Sequence, residues 1–230
     1  MSFRLDVFLH DLLSFDFAGA ALITLWISIA AMLLGLAIGL ALALMQQCRF
    51  RLLRWLAWSY LWVFRGTPVL LQIIFAFNVL PGFGVILSGP VCAVLALGLH
   101  EAAYMAEIFR SGLAAVNAGQ RDAARALGMS EWQVMRLVVL PQALRLVIPP
   151  IGNQFIGMLK LSALISVIGV RELLLAAEQS ASATFRYLEA LSAAGVYYLA
   201  FTTVLMSLQR VLERRLGRPG LLATGLTADG

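Results

Sequence analysis

No charged residue occurs between Phe17 and Cys48. A helix needs about 20 mostly apolar residues to cross the hydrocarbon of a bilayer, so this run spans one with turns to spare. A soluble core has little use for an uncharged helix of that length, and the run therefore constrains the fold more than any other feature. The remaining sequence agrees: of 230 residues, 61% are apolar and only 13% charged, against roughly a quarter charged in soluble domains.

Further spans follow from the same test. After a basic patch (Arg49, Arg51, Arg54), an apolar stretch whose only early charge is Arg65 runs on to His100, too long for one crossing. Pro81-Gly82-Phe83-Gly84 and Gly89-Pro90 divide it, since such residues end helices and form turns. This predicts spans over Trp58–Leu80 and Ile86–Phe109. Arg110 to Arg145 is polar enough to leave the bilayer. Leu146–Val170 returns to it with Lys160 as its single charge, and the uncharged Ala190–Gln209 makes a fifth span, closed by Arg210, Arg214, Arg215 and Arg218. The fold class is thus an all-α integral membrane protein with about five transmembrane helices. Residues 1–16 read as an interfacial segment, with Phe3, Val7, Phe8, Leu12 and Phe15 interleaved with polar positions. Its charge (Arg4 against Asp6, Asp11 and Asp16) is the wrong sign for a cleaved signal peptide. Residues 17–215 form the transmembrane domain, and residues 216–230 read as a flexible tail.

The net charge of +5 raises the question of nucleic acid, and the positions of the arginines answer it. They gather after span one, between Arg110 and Arg145, and after span five, at helix ends where they set topology. The positive-inside rule then places the N-terminus outside and the C-terminus in the cytoplasm, as an odd number of spans requires.

The segment from Asn117 to Pro141 is the most informative. Ala118 to Leu127 is a strong helix former, with Ala123, Ala124 and Leu127 on one small apolar face. Gly128 suits the left-handed residue just past a helix end. Ser130 with Gln133 forms a capping box that opens a second short helix, limited by Pro141. Three readings fit: an ordinary helical loop, a DNA-binding helix-turn-helix, or a docking element for a soluble partner. A loop wedged between two spans is poorly placed to enter a major groove.

Asp122-Ala123-Ala124, Gly128, Val138 and Leu140-Pro141 keep the spacing of the EAA loop, and the stretch resembles that loop in ATP-binding-cassette importer permeases. Asp122 stands for the usual Glu and Val138 for the usual Ile. Arg65-Gly66-Thr67-Pro68 with Leu70-Leu71-Gln72, the run Ala103–Arg110, Gly119-Gln120, Pro141-Gln142-Ala143, Pro149 and Asn153 are similar to the polar amino-acid branch of that family. The resemblance spans about Gly19 to Arg215. It departs at Lys160-Leu161-Ser162-Ala163-Leu164, where the branch has Lys-Asp-Thr-Ser-Leu. The resemblance implies a multi-pass permease of a bacterial cytoplasmic membrane that imports a polar amino acid by alternating access. It further implies a second permease chain, identical or paralogous, and an extracytoplasmic solute-binding protein. A separate ATP-binding-cassette subunit would carry ATP and Mg and grip Gly119, Gln120, Asp122, Ala123, Ala124, Gly128, Leu140 and Pro141.

Ionisable groups inside spans cost at least about 2.5–3.5 kcal/mol each near the bilayer centre, so they need a reason. Arg65, Glu101 and Lys160, with Asn153 and Gln154 beside a Pro149-Pro150 break, are the candidates for a substrate path; pairing between helices is the alternative role. Prolines at membrane depth free carbonyls that are tolerated only against protein or a wet cavity. Gly35 and Gly39 form a small-xxx-small face suited to close helix packing. The chain contains no Walker A motif, HExxH or nucleophile elbow, and His10 and His100 have no metal-ligand spacing. A stand-alone ion-coupled carrier or channel using Glu101 and Lys160, or a scaffold anchoring a partner, are the competing functions.

Overall fold

The structure, a computed structural model, describes residues 3–216; the expected tail, apart from Leu216, lies outside them. Ten α-helices follow in order: α1 (Leu5–Leu13), α2 (Phe15–Gln47), α3 (Arg51–Gly66), α4 (Val69–Asn78), α5 (Gly89–Ala114), α6 (Ala118–Ala126), α7 (Glu131–Gln133), α8 (Leu140–Leu161), α9 (Leu173–Thr184) and α10 (Tyr187–Leu216). A π-helical stretch over Val134–Val139 and a 3-10 stretch over Ser162–Ile168 extend α7 and α8 into one rod, Glu131–Ile168. Four helices (α2, α5, this rod and α10) are long and apolar enough to cross a membrane, and α3 with α4 makes a bent fifth candidate.

The centre of the molecule is α2 lying alongside α5, both running in the same direction. A methyl at Gly35 would sit 2.9 Å from Glu101 Cβ, and one at Gly39 would sit 2.4 Å from Met105 Cβ and 2.9 Å from the Ala102 carbonyl oxygen. Those distances are below any real Cβ contact, so only glycine permits the approach. The small-xxx-small pattern read in the sequence is therefore in use. Around it Ile27, Ala31, Ala93, Leu97, Met158 and Ile165 form an apolar core, into which Cys92 is also packed.

Three sequence expectations need correction. Trp58–Leu80 is not one straight span: α3 and α4 meet at a bend of 102°. Pro68 lacks an N–H, so the Phe64 carbonyl has no ordinary helical partner, and Thr67 adopts an extended backbone (φ −119°, ψ 146°) as residues before proline prefer. Pro141 does not limit the second loop helix, which continues into α8. The π stretch just before it lets the Leu140 N–H bond the Met135 carbonyl, a wider turn that accommodates the proline ring. Nor do Pro149 and Pro150 break a helix; both lie inside α8, where packing against α5 and α10 outweighs the lost hydrogen bonds.

The end of the bundle away from α6 is closed by polar contacts. The Tyr197 hydroxyl donates to the Leu12 carbonyl at 2.8 Å, and the Ser180 hydroxyl lies 3.0 Å from both carboxylate oxygens of the buried Asp11. Arg171 pairs with Asp16 through two bonds of 2.9 and 2.6 Å. The segment expected to be interfacial forms α1 and packs against α2 and α10, with Phe8 and Leu12 over the cluster of Phe17, Ala21 and Leu173. Glu172, fully buried, caps α9 by accepting from the Leu174 and Leu175 amides and the Tyr198 hydroxyl, each at 2.9 Å.

Candidate functional site

Two regions hold the residues singled out by sequence. The first is the α6 hairpin. Asn117 opens α6 by accepting from the Gly119 amide at 2.8 Å, and Gly128 ends it with φ 79°, the left-handed conformation that a side chain rarely adopts. The Gly128 and Met129 amides return to the Arg125 and Ala124 carbonyls at 2.9 and 3.2 Å. The Ser130–Gln133 capping box forms with bonds of 2.8 and 3.4 Å. Of the small apolar face, only Ala124 turns inward, onto Val116, Val134, Val139 and Ala143. Ala123 is exposed and Leu127 is 83% exposed, so this face points away from the chain's own bundle. Gly119, Gln120, Asp122, Leu140 and Pro141 are exposed as well.

Polar ties hold the hairpin to its neighbours. Arg125 reaches Asp122 at 3.0 Å and Glu131 at 2.7 and 3.2 Å. Gln142 donates to Gln120 at 2.5 Å and to the Val138 carbonyl at 2.9 Å. Arg121 donates to the Leu113 carbonyl at 2.5 Å, which fastens α6 to the end of α5. The helix after the loop runs unbroken into α8, as part of the Glu131–Ile168 rod.

The second region lies along α5. Glu101 is buried against Gly35 of α2, and the Gln154 side chain of α8 interacts with its carboxylate; one carboxylate oxygen has no hydrogen-bond partner. Arg65 places its guanidinium 5.6 Å from the centre of the Tyr104 ring, a cation–π distance. Glu107 pairs with Arg110 on its own helix, so this ion pair does not join two helices. Asn153 turns the other way, accepting from Gln209 of α10 at 3.1 Å, and Lys160 is exposed one to two turns further along α8. The chain thus brings Glu101 and Gln154 together, whereas Asn153 and Lys160, about two turns apart on α8, share another side of that helix, and Arg65 lies on α3.

Gln72 and His100 were not singled out as site residues by the sequence, yet they organise the bend. The Gln72 amide donates to the Phe64 carbonyl at 3.0 Å, the Thr67 carbonyl at 3.2 Å and the Thr67 hydroxyl at 2.9 Å. Its oxygen faces His100 Nδ1 at 3.2 Å. It stands where Pro68 has no N–H to give, and its place four residues after that proline was the available signal.

These features define a multi-pass helical membrane protein with a short helix at one end whose outer apolar side is exposed. The family described as binding-protein-dependent transport system inner membrane component matches residues 31–218. The chain is 40% identical over 225 residues to the arginine transport system permease protein ArgU of Corynebacterium glutamicum, covering 91% of this chain and 71% of that protein. It is 39% identical over 198 residues to the glutamine transport system permease protein GlnP of Escherichia coli, covering 85% and 90%. A crystal structure of an amino acid ABC transporter with histidines superimposes with a TM-score of 0.83 at 38% identity, over 87% of this chain and 94% of that one. The inward-facing MetNI methionine ABC transporter shares the fold, with a TM-score of 0.72 at 19% identity.

The chain belongs to the binding-protein-dependent transport system inner membrane component family. It is a multi-pass inner-membrane permease subunit of an ABC importer, and ATP hydrolysis in such a system resides in a separate subunit. Family membership leaves the stand-alone carrier or channel without support.

Proposed function

We propose that this permease imports a polar amino acid by alternating access, driven by an ATP-binding-cassette subunit that carries ATP and Mg and docks on the α6 hairpin. Residues 17–215 are the permease domain, with the N-terminus outside and the C-terminus in the cytoplasm, as the arginine distribution favours. A second permease chain, identical or paralogous, completes the pathway, and an extracytoplasmic binding protein delivers the substrate. The relatives named for arginine, glutamine and amino acid transport support the substrate class. The outward-turned face of α6 carries the docking reading: Ala123 and Leu127 are apolar, exposed and unpartnered beside an unbroken rod into the membrane. Gly119, Gln120, Asp122, Ala123, Ala124, Gly128, Leu140 and Pro141 form the docking element, and the rod transmits its movement as a transition between discrete states.

Arg65, Glu101, Asn153, Gln154 and Lys160 are assigned to the substrate path. The buried Glu101 and the half-buried Gln154 contribute a polar pair, and the exposed Arg65, Asn153 and Lys160 are assigned to a lining that a second chain would complete. The test is copurification from the native membrane in mild detergent. The wild type is expected to bring down an ATP-binding subunit, and Ala123→Trp or Gly128→Pro to lose it and abolish uptake while the chain stays in the membrane. Retention of the ATPase by both variants would sink the docking assignment. Glu101→Gln is expected to change affinity or substrate choice; unchanged uptake across several amino acids returns it to a packing role.

A further inference from the structure

The rod Glu131–Ile168 is not uniform along its length. Over Val134–Val139 it is π-helical, and the Leu140 amide bonds the Met135 carbonyl five residues back. Next stands Pro141, which has no N–H to give. The rod thus has its poorest backbone bonding just where it leaves the loop and becomes α8, and helices bend at π turns and prolines. Left to itself, this stretch would absorb a movement of the loop as a local bend.

Helix α6 is tied to the rod on both sides of that stretch. Before it, Arg125 of α6 reaches Glu131 at 2.7 and 3.2 Å. Beyond it, Gln142 in the first turn of α8 donates to Gln120 in the first turn of α6 at 2.5 Å, across 22 residues of sequence. The same Gln142 amide donates to the Val138 carbonyl, inside the π stretch, at 2.9 Å. A side-chain amide has two N–H hydrogens, and Gln142 uses one on each partner. Between the two ties Ala124 packs on Val134, Val139 and Ala143. Those apolar contacts are non-directional and fix no register by themselves. Gln142 supplies the directional bond that does.

We propose that Gln142 is a positioning residue for coupling: its amide straps α6 across the π stretch to α8, so that displacing the docked hairpin moves the membrane-crossing rod instead of bending it. Gln142 is half-buried, where Gln120 is exposed, and it lies outside the set of residues assigned to docking. The inference rests on the proposed docking of an ATP-binding subunit on α6 and adds the residue that carries the motion onward.

The whole complex, captured with its ATP-binding subunit and binding protein, is reconstituted in proteoliposomes. ATP hydrolysis and uptake of a radiolabelled amino-acid mixture are then measured together. Gln142→Glu keeps the shape of the side chain, removes both donors and sets a carboxylate against two carbonyl oxygens; Gln142→Lys has donors and no acceptor. Gln142→Glu is expected to retain the ATPase, hydrolyse ATP near the wild-type rate and import about tenfold less amino acid per ATP. Gln142→Lys is expected to keep most of the wild-type ratio. Thermal midpoints are expected to be unchanged in both, whereas a purely structural role would lower midpoint and uptake together. A wild-type ratio in Gln142→Glu would overturn the strap. Equal loss in the two variants would also overturn it, since donation would then not be what matters. Loss of the ATPase from Gln142→Glu would do the same by moving the residue into the docking surface. A wild-type chain that captures no ATPase would fail before any variant is compared, and would sink the docking reading and the strap with it.

Discussion

Where α2 runs beside α5, Gly35 and Gly39 meet Glu101, Ala102 and Met105 so closely that one added methyl collides. Where α6 meets the rod that follows it, Arg125, Asp122 and Glu131 sit largely in solvent, joined by three hydrogen bonds between charged groups. The first region is held by the absence of side chains, which lets backbones approach and dispersion contacts accumulate in a setting where lipid offers no hydrophobic push between helices. The second is held by polar contacts that water competes for, so it can be released and rebuilt at small cost. A transporter needs both: a bundle interior that moves as a body, and a surface element whose connections tolerate docking and displacement.

The contrast can be broken at four places, taken from the largest expected effect downward. Gly39→Leu forces a side chain into the Met105 Cβ and Ala102 carbonyl positions and is expected to cost about 3 kcal/mol or more, read as loss of monodisperse protein in detergent. A well-folded Gly39→Leu chain would mean that α2 and α5 are not locked. Gln72→Leu removes the two amide hydrogens shared among the Phe64 carbonyl and the Thr67 carbonyl and hydroxyl and leaves carbonyls unsatisfied, an expected loss of about 2 kcal/mol read as a lowered thermal midpoint. Restoration by Gln72→Asn would show that the amide and not its reach matters. Ser130→Ala dismantles the capping box and is expected to cost about 1 kcal/mol, with the fraying confined to α7 by hydrogen exchange. Arg125→Met lies at the small end: its partners are exposed, and the stability change is expected to stay within about 0.5 kcal/mol. The same variant is expected to lower uptake, since the orientation of α6 depends on it. An Arg125→Met chain that loses as much stability as Gly39→Leu would erase the distinction between the two regions.

Much of this architecture was legible in residue order. The uncharged Phe17–Cys48 run, the Gly-Pro divisions and the arginine clusters each reflect a local requirement: bilayer thickness, backbone freedom, charge at helix ends. The left-handed Gly128 and the Ser130–Gln133 cap were equally readable, because a helix end exposes backbone groups that only a few residue types satisfy. The prolines misled for the opposite reason. Pro141, Pro149 and Pro150 signal breaks in isolation, yet a π turn and neighbouring helices carry the chain through, whereas Pro68, lacking that support, bends its helix by 102°.

The sequence by itself determined that the chain is a bundle of membrane helices and that a capped, exposed hairpin lies between spans three and four. Only the tertiary structure decided which polar groups meet. Gln154 faces Glu101 while the adjacent Asn153 faces Gln209, and Gln72 supplies what Pro68 withholds. Such pairings depend on how each helix is rotated and shifted along its neighbour. That choice is made by the close fit of small residues such as Gly35 and Gly39, and helical periodicity leaves it open.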